Sequence, residues 1–242
     1  MGLIIHTEDG YLAGYKEICE VPAPEPTKSY QPVPNQQLVE FVRHRVRSIL
    51  GMDITQEQYG LSRKGQQMFG VIRLDSGHPD NGLSIGLRNS YDKSLSVGFA
   101  SGASVFVCDN LCFSGESGEI IRKHTVNVWR DITLKVDQAL RASEYHYIVM
   151  NQHLSEMKQI PMGLDEGYDL IGRALGHEVL KPQQATIALK DWRNPRHEDF
   201  SERNLYSLYN CFTEGLKRGP AGGTLDRHAT THEFFASMLS AA

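Results

Sequence analysis

The chain has 242 residues, 40% of them hydrophobic and 22% charged, with a formal net charge of −4 and a pI near 6.2. That composition excludes wholesale disorder and fits one large domain, or one domain with a helical appendage. The acidic balance excludes a uniformly basic nucleic-acid binder, whose pI is typically above about 9, but leaves room for a local basic groove.

Residues 1–34 read as an extended N-terminal arm. Met1-Gly-Leu-Ile-Ile-His6 carries neither a basic segment nor a long apolar core, so no secretory signal is expected. His6 stands where a myristoylation signal needs Ser or Thr. No run of about 18 apolar residues occurs anywhere, so no membrane span is expected. Val21-Pro-Ala-Pro-Glu-Pro26 and Tyr30-Gln-Pro-Val-Pro34 should be extended, because proline fixes φ and removes a backbone donor. Asn35 is placed to cap a helix running to Leu50, with Gly51 as its stop. Leu38, Val42, Val46 and Ile49 share one stripe, and Arg43, Arg45 and Arg47 project elsewhere.

Strand signals follow. Met68–Leu74 is β-rich, and Asp75–Gly82 is dense in turn formers. Leu83, Ile85 and Leu87 alternate with Ser84, Gly86 and Arg88, as do Leu95, Val97 and Phe99 with Ser94, Ser96 and Gly98. Ser101-Gly102 reads as a two-residue turn with Ala103–Val107 returning, and a short strand covers Glu119–His124. One face of this meander should be buried and the other lined by small, polar groups. From Val128 to Met157 the period becomes helical, through Ile132, Val136, Leu140, Tyr147 and Leu154. Further helices are expected over Asp165–Leu175, from Pro182, over Ser201–Lys217, and around Phe234, Phe235 and Leu239. The fold class is therefore α+β: residues 35–160 form an antiparallel meander packed on a long helix, and residues 161–242 form a mostly helical region packed on that core.

Motifs with chemistry are sparse. Cys108-Asp-Asn-Leu-Cys112 supplies half of a structural zinc site, but Cys19 and Cys211 are not a second close pair. Buried free thiols in a reducing cytoplasm fit the four cysteines better. His228 and His232 lie one helical turn apart, yet Ala229 stands where a zincin needs its general-base Glu. They remain weak metal candidates, with Glu233 the nearest third ligand. Gly98–Ser104 and Gly82–Gly86 lack the glycine order of a nucleophile elbow and of a dinucleotide loop. No catalytic residue and no cofactor are assigned.

The basic residues carry more. Arg63-Lys64 precede a strand, Arg88 and Lys93 lie on the meander, and Arg122, Lys123 and Arg130 sit at the entry to the long helix. If the polar face is open, these residues line a groove for a phosphodiester backbone. Ser84, Gly86, Ser94, Ser96 and Gly98 would then permit close approach, and Tyr91, Phe106 and Trp129 could stack on bases. The competing reading places these charges in solvent and the aromatics in the core.

The run Arg88–Cys112, the segment Arg122-Lys-His-Thr125 and the stretch Asn204–Glu214 together resemble a domain of unknown function, family 932, over most of residues 36–240. That resemblance implies a phage or plasmid origin and no established activity. Helix, antiparallel strands and long helix in that order are also similar to the core of single-strand annealing recombinases of the RecT-like and Red-beta-like kinds. This second likeness implies a homo-oligomer holding single-stranded DNA. The leading expectation is thus a non-catalytic oligomer that binds single-stranded nucleic acid for annealing, recombination or protection in a bacterial host's cytoplasm. The acidic balance and the proline-spaced arm suggest an alternative, a protein-binding or host-defence-countering factor with a host protein as partner. A metal-dependent hydrolase using His228, His232 and Glu233 is the second alternative.

Overall fold

Between Ile54 and Val105, four strand segments separated by tight turns fold as an antiparallel meander, with clear apolar alternation in Leu83–Leu87 and Val97–Phe99. The computed structural model describes residues 10–77, 81–105, 110–113, 120–122, 124–218 and 223–239. Among them, seven strands form one sheet in the order β1 (Tyr11–Ala13), β2 (Ile54–Ser62), β3 (Gln67–Leu74), β4 (Asn81–Ser90), β5 (Val97–Val105), β6 (Asn110–Phe113), with β7 (Ile120–Arg122) also paired to β5. No described helix is long and apolar enough to cross a membrane.

The register sorts the side chains cleanly. Leu87 faces Gly70 and Phe99, Ile85 faces Ile72, and Leu83 faces Leu74, so these share one face. They join a single core with α2 (Asn35–Ile49) and α3 (Val128–Lys158). Gly70 leaves room for the ring of Tyr59, its cross-strand partner, which would lie 2.8 Å from a Cβ there. The two helices lie side by side, with Phe41 edge-on to Trp129 at 6.0 Å and Arg45 donating to Asp137 at 2.7 Å.

Several sequence expectations need correction. The other face of the central strands is closed: Phe69, Val71, Ser84, Arg88 and Ala100 are all buried. Ser101-Gly102 is no turn, because β5 runs straight through it, pairing Ser101 with Ile85 and Gly102 with Ser84. Strand β2 has no counterpart among the sequence-read elements; its first half, Ile54-Thr-Gln-Glu-Gln58, is too polar to stand out. The arm is only partly extended, since it contains β1 and the short helix α1 (Tyr15–Glu20). Asn35 is the first residue of α2, not its cap.

The C-terminal helices α4 (Leu164–Gly176), α5 (Pro182–Arg193), α6 (Leu205–Leu216) and α7 (Thr224–Leu239) follow the expected order. Asn204 caps α6 by accepting from the Ser207 amide at 2.8 Å. Helix α6 is buried along nearly its whole length and touches α3, α5 and α7. Close approach at the helix crossings requires glycine: a Cβ on Gly167 would lie 2.1 Å from Nε1 of Trp192, which donates to the Leu164 carbonyl at 3.0 Å. Gly172, on the same helix, has nothing within 4 Å of that position. Gly167→Ala should therefore destabilise the protein by about 1–3 kcal/mol through overpacking. Gly172→Ala should be neutral or stabilise by up to about 1 kcal/mol through helix propensity. Urea unfolding of the two variants checks this; equal midpoints would contradict the packing.

Candidate nucleic-acid interface

Three of the sequence-selected cations meet at one end of the sheet. Arg63 and Lys64 occupy the β2–β3 turn, both with positive φ, 50° and 56°. Lys93 occupies the neighbouring β4–β5 turn, also with positive φ, 63°. The turns are tied together: the Tyr91 amide donates to the Gln66 carbonyl at 2.7 Å, and Gln67 Nε2 donates to Ser94 Oγ at 2.7 Å. Arg63 also pairs with Asp92 at 3.2 Å, and its side chain stays 60% exposed. Such an exposed pair is worth little and leaves the guanidinium free to exchange partners. Burial raises the Asp92 carboxyl's pKa, but hydrogen bonds from Ser94 and Arg63 outweigh it and hold the group below its ordinary value.

Other elements converge on the same end. The Lys93 ammonium sits 4.6 Å from the centre of the Tyr30 ring, a cation–π contact. The Gln31 amide donates to the His124 carbonyl at 3.0 Å, and the His124 ring lies 5.4 Å from that of Tyr30. The backbone of Arg122 ends β7 opposite Val97, the first residue of β5. Helix α2 starts here, its Asn35 amide donating to the Tyr91 hydroxyl at 2.7 Å. Helix α3 starts just after His124, so exposed Arg130 stands close to this end, beside Asp131 at 3.9 Å. The arrangement is a cation-bearing rim at the helix-start end of the sheet.

Two of the expected site residues do not belong to the rim surface. Arg88 lies on the closed face, 4% exposed, and its guanidinium pairs with Asp226 of α7. Its side chain crosses Gly98, where a Cβ would meet Arg88 Cγ at 2.7 Å. Tyr91 is 5% exposed and its hydroxyl is used on α2, so it offers no stacking face. Burial raises its pKa, as it does that of Tyr30. The expected polar groove on the sheet face is thus replaced by the rim. Lys123, Phe106 and Cys108 lie outside the described residues, as do the side chains of Arg122 and Cys112. Cys19 and Cys211 are free thiols, and burial pushes the Cys211 pKa up.

His228 and His232 are both buried. His232 does not pair with His228 across the helical turn; its Nε2 lies 3.1 Å from Nδ1 of His153 on α3, and its Nδ1 lies 3.4 Å from the Tyr209 hydroxyl. His153 carries no local motif, and only the packing of α7 on α3 reveals it. Among the described residues, no group of three His, Cys, Asp or Glu side chains could hold a metal ion.

Fold and site together define a class: an α+β protein with an antiparallel sheet whose central strands are covered on both faces, and a cationic rim at one end. The model of a family described as Domain of unknown function (DUF932) matches residues 25–233, and the chain belongs to that family. Comparison with curated proteins found no match, and comparison with solved structures found none.

The rim carries a pH signature. Burial holds the His124 imidazole below its ordinary pKa of about 6.5, and its two ring nitrogens have no hydrogen-bond partner among the described residues. The folded protein therefore refuses a proton that the unfolded chain accepts, so stability is full above about pH 6.5 and falls as the pH drops below it. Burial and then the neighbouring His153 push His232 down to about 4, which adds loss in the same direction. Urea midpoints should fall between pH 7.5 and pH 5, and less steeply in His124→Phe; parallel pH profiles for the two proteins would contradict this.

Proposed function

We propose that the rim binds the sugar–phosphate backbone of single-stranded nucleic acid. The observation that carries this reading is the convergence of Arg63, Lys64 and Lys93 on adjacent turns, beside the starts of two helices. Exposed Arg130 extends the same basic surface in this reading. Tyr30 and Tyr91 are buried, so the contact is with phosphates far more than with bases. Trp129, half-buried in the first turn of α3, retains some exposed surface for stacking. Binding is then sequence-tolerant and non-catalytic. It suits annealing or protection of a single strand in phage or plasmid DNA metabolism, with several copies side by side along the strand.

One observation favours a second reading. Leu134, Tyr145 and Ile148 on α3 are 61%, 68% and 64% exposed, as a protein-binding helix would be. A pull-down in which a protein partner survives nuclease treatment would support it.

Fluorescence anisotropy with a labelled oligothymidylate tests the leading reading. Each single-strand phosphate neutralised contributes roughly −0.7 to the slope of log K against log salt. The triple variant Arg63→Gln, Lys64→Gln, Lys93→Gln should therefore flatten that slope by about 2, while losing only about 1–2 kcal/mol of unfolding stability with the Tyr30 and Asp92 contacts. Absence of binding at low salt, or an unchanged slope in the variant, removes the proposal.

A further inference from the structure

Away from the rim, the second half of α3 and the C-terminal half of α7 enclose a groove of about 690 Å³. That size suits a small organic ligand, since such sites span roughly 300–1,000 Å³. Its floor is the His153–His232 pair, rings stacked at 5.3 Å and 20°. A hydrogen bond between two imidazoles requires one donor and one acceptor, so at least one ring is neutral. Burial keeps His232 neutral well below pH 6. The pair is anchored from beneath by Tyr209 on α6, which meets His232 edge-on at 5.9 Å.

The walls are mixed. Val149, Met150 and Leu239 supply apolar surface, and Tyr145 stands at the mouth. The charged lining groups are Glu156 from α3 and Glu233 from α7, and no Lys or Arg among the described residues lines the groove. Gln152 already donates to one oxygen of Glu156 at 2.9 Å, which orients that carboxylate. Neither glutamate has an ion-pair partner among the described residues. The polar lining is thus rich in acceptors and negative, beside an apolar wall.

We infer that this groove is a binding site for an organic cation with an apolar body, held by Glu156 and Glu233 over the His153–His232 floor. The ammonium or guanidinium head pairs with these solvent-exposed carboxylates at the mouth of the groove. The hydrocarbon body covers Val149, Met150 and Leu239. This site is independent of the rim, so either assignment can fail without the other.

The test uses the full chain and three matched probes: 2-phenylethylammonium, 2-phenylethanol and 3-phenylpropionate. Imidazole NMR signals of His153 and His232 report occupancy. The ammonium should shift them saturably, with the alcohol and the carboxylate at least about tenfold weaker. The double variant Glu156→Gln, Glu233→Gln should weaken ammonium binding at least about tenfold while leaving the unfolding midpoint and oligonucleotide affinity unchanged. Equal binding of the three probes, no histidine shift with any of them, or full affinity in the double variant overturns the inference.

Discussion

Strands β3 and β4 are buried on both faces, and a sheet so placed has no solvent side on which to leave a charge or an unsatisfied polar group. Polar side chains on these strands must find partners inside the fold or remain unsatisfied, as the Ser84 hydroxyl does among the described residues. Asn89 donates to the Val33 carbonyl and to Asn35 Oδ1, both at 2.7 Å, which fastens the proline-spaced segment and the start of α2 to the end of β4. Arg73 donates to Gln56 Oε1 at 2.6 Å. Arg88 reaches out of the sheet to Asp226, which fixes where α7 must begin. The same constraint moves surface cations to the strand ends, where the turns are wet. The rim is a product of the closed sheet.

Helix α3 links the two surfaces. Its 31 residues span about 46 Å at 1.5 Å per residue. Its first turn borders the rim, and its second half lines the acidic groove. Between them its buried residues, from Ile132 through Val136 and Leu140 to Leu154, belong to the common core. Positive and negative surfaces are therefore held apart by one continuous element, which explains how a chain of net charge −4 keeps a basic edge.

Much of this was legible in the sequence where a period was strong. Alternation at Leu83, Ile85 and Leu87 identified a strand and its core face, and the helical spacing from Ile132 to Leu154 identified α3 with its ends nearly placed. The misreadings share a physical cause. Alternation of small and polar residues with apolar ones suggests solvent exposure, yet Ser84 and Gly86 are buried, and Gly98 is bare because the Arg88 side chain crosses it. Arg88 fits there through partners far away in the chain, which periodicity cannot register. Strand β2 is half polar and borders the short β1, so neither stood out. The His228–His232 spacing was visible, but the interaction that counts joins His232 to His153 on another helix. Arg63, Lys64 and Lys93 were recognisable as basic residues; their meeting at one end follows only from the β3–β4 register.

The lack of a side chain at Gly98 ties three distant positions into one evolutionary unit. Arg88 lies where a methyl group at residue 98 would stand, and its guanidinium pairs with the carboxylate at 226. A relative carrying alanine or valine at 98 must carry a shorter residue at 88, and is then released from keeping an acid at 226. Drift at these sites is predicted to be concerted: the three residues covary as a block or persist together.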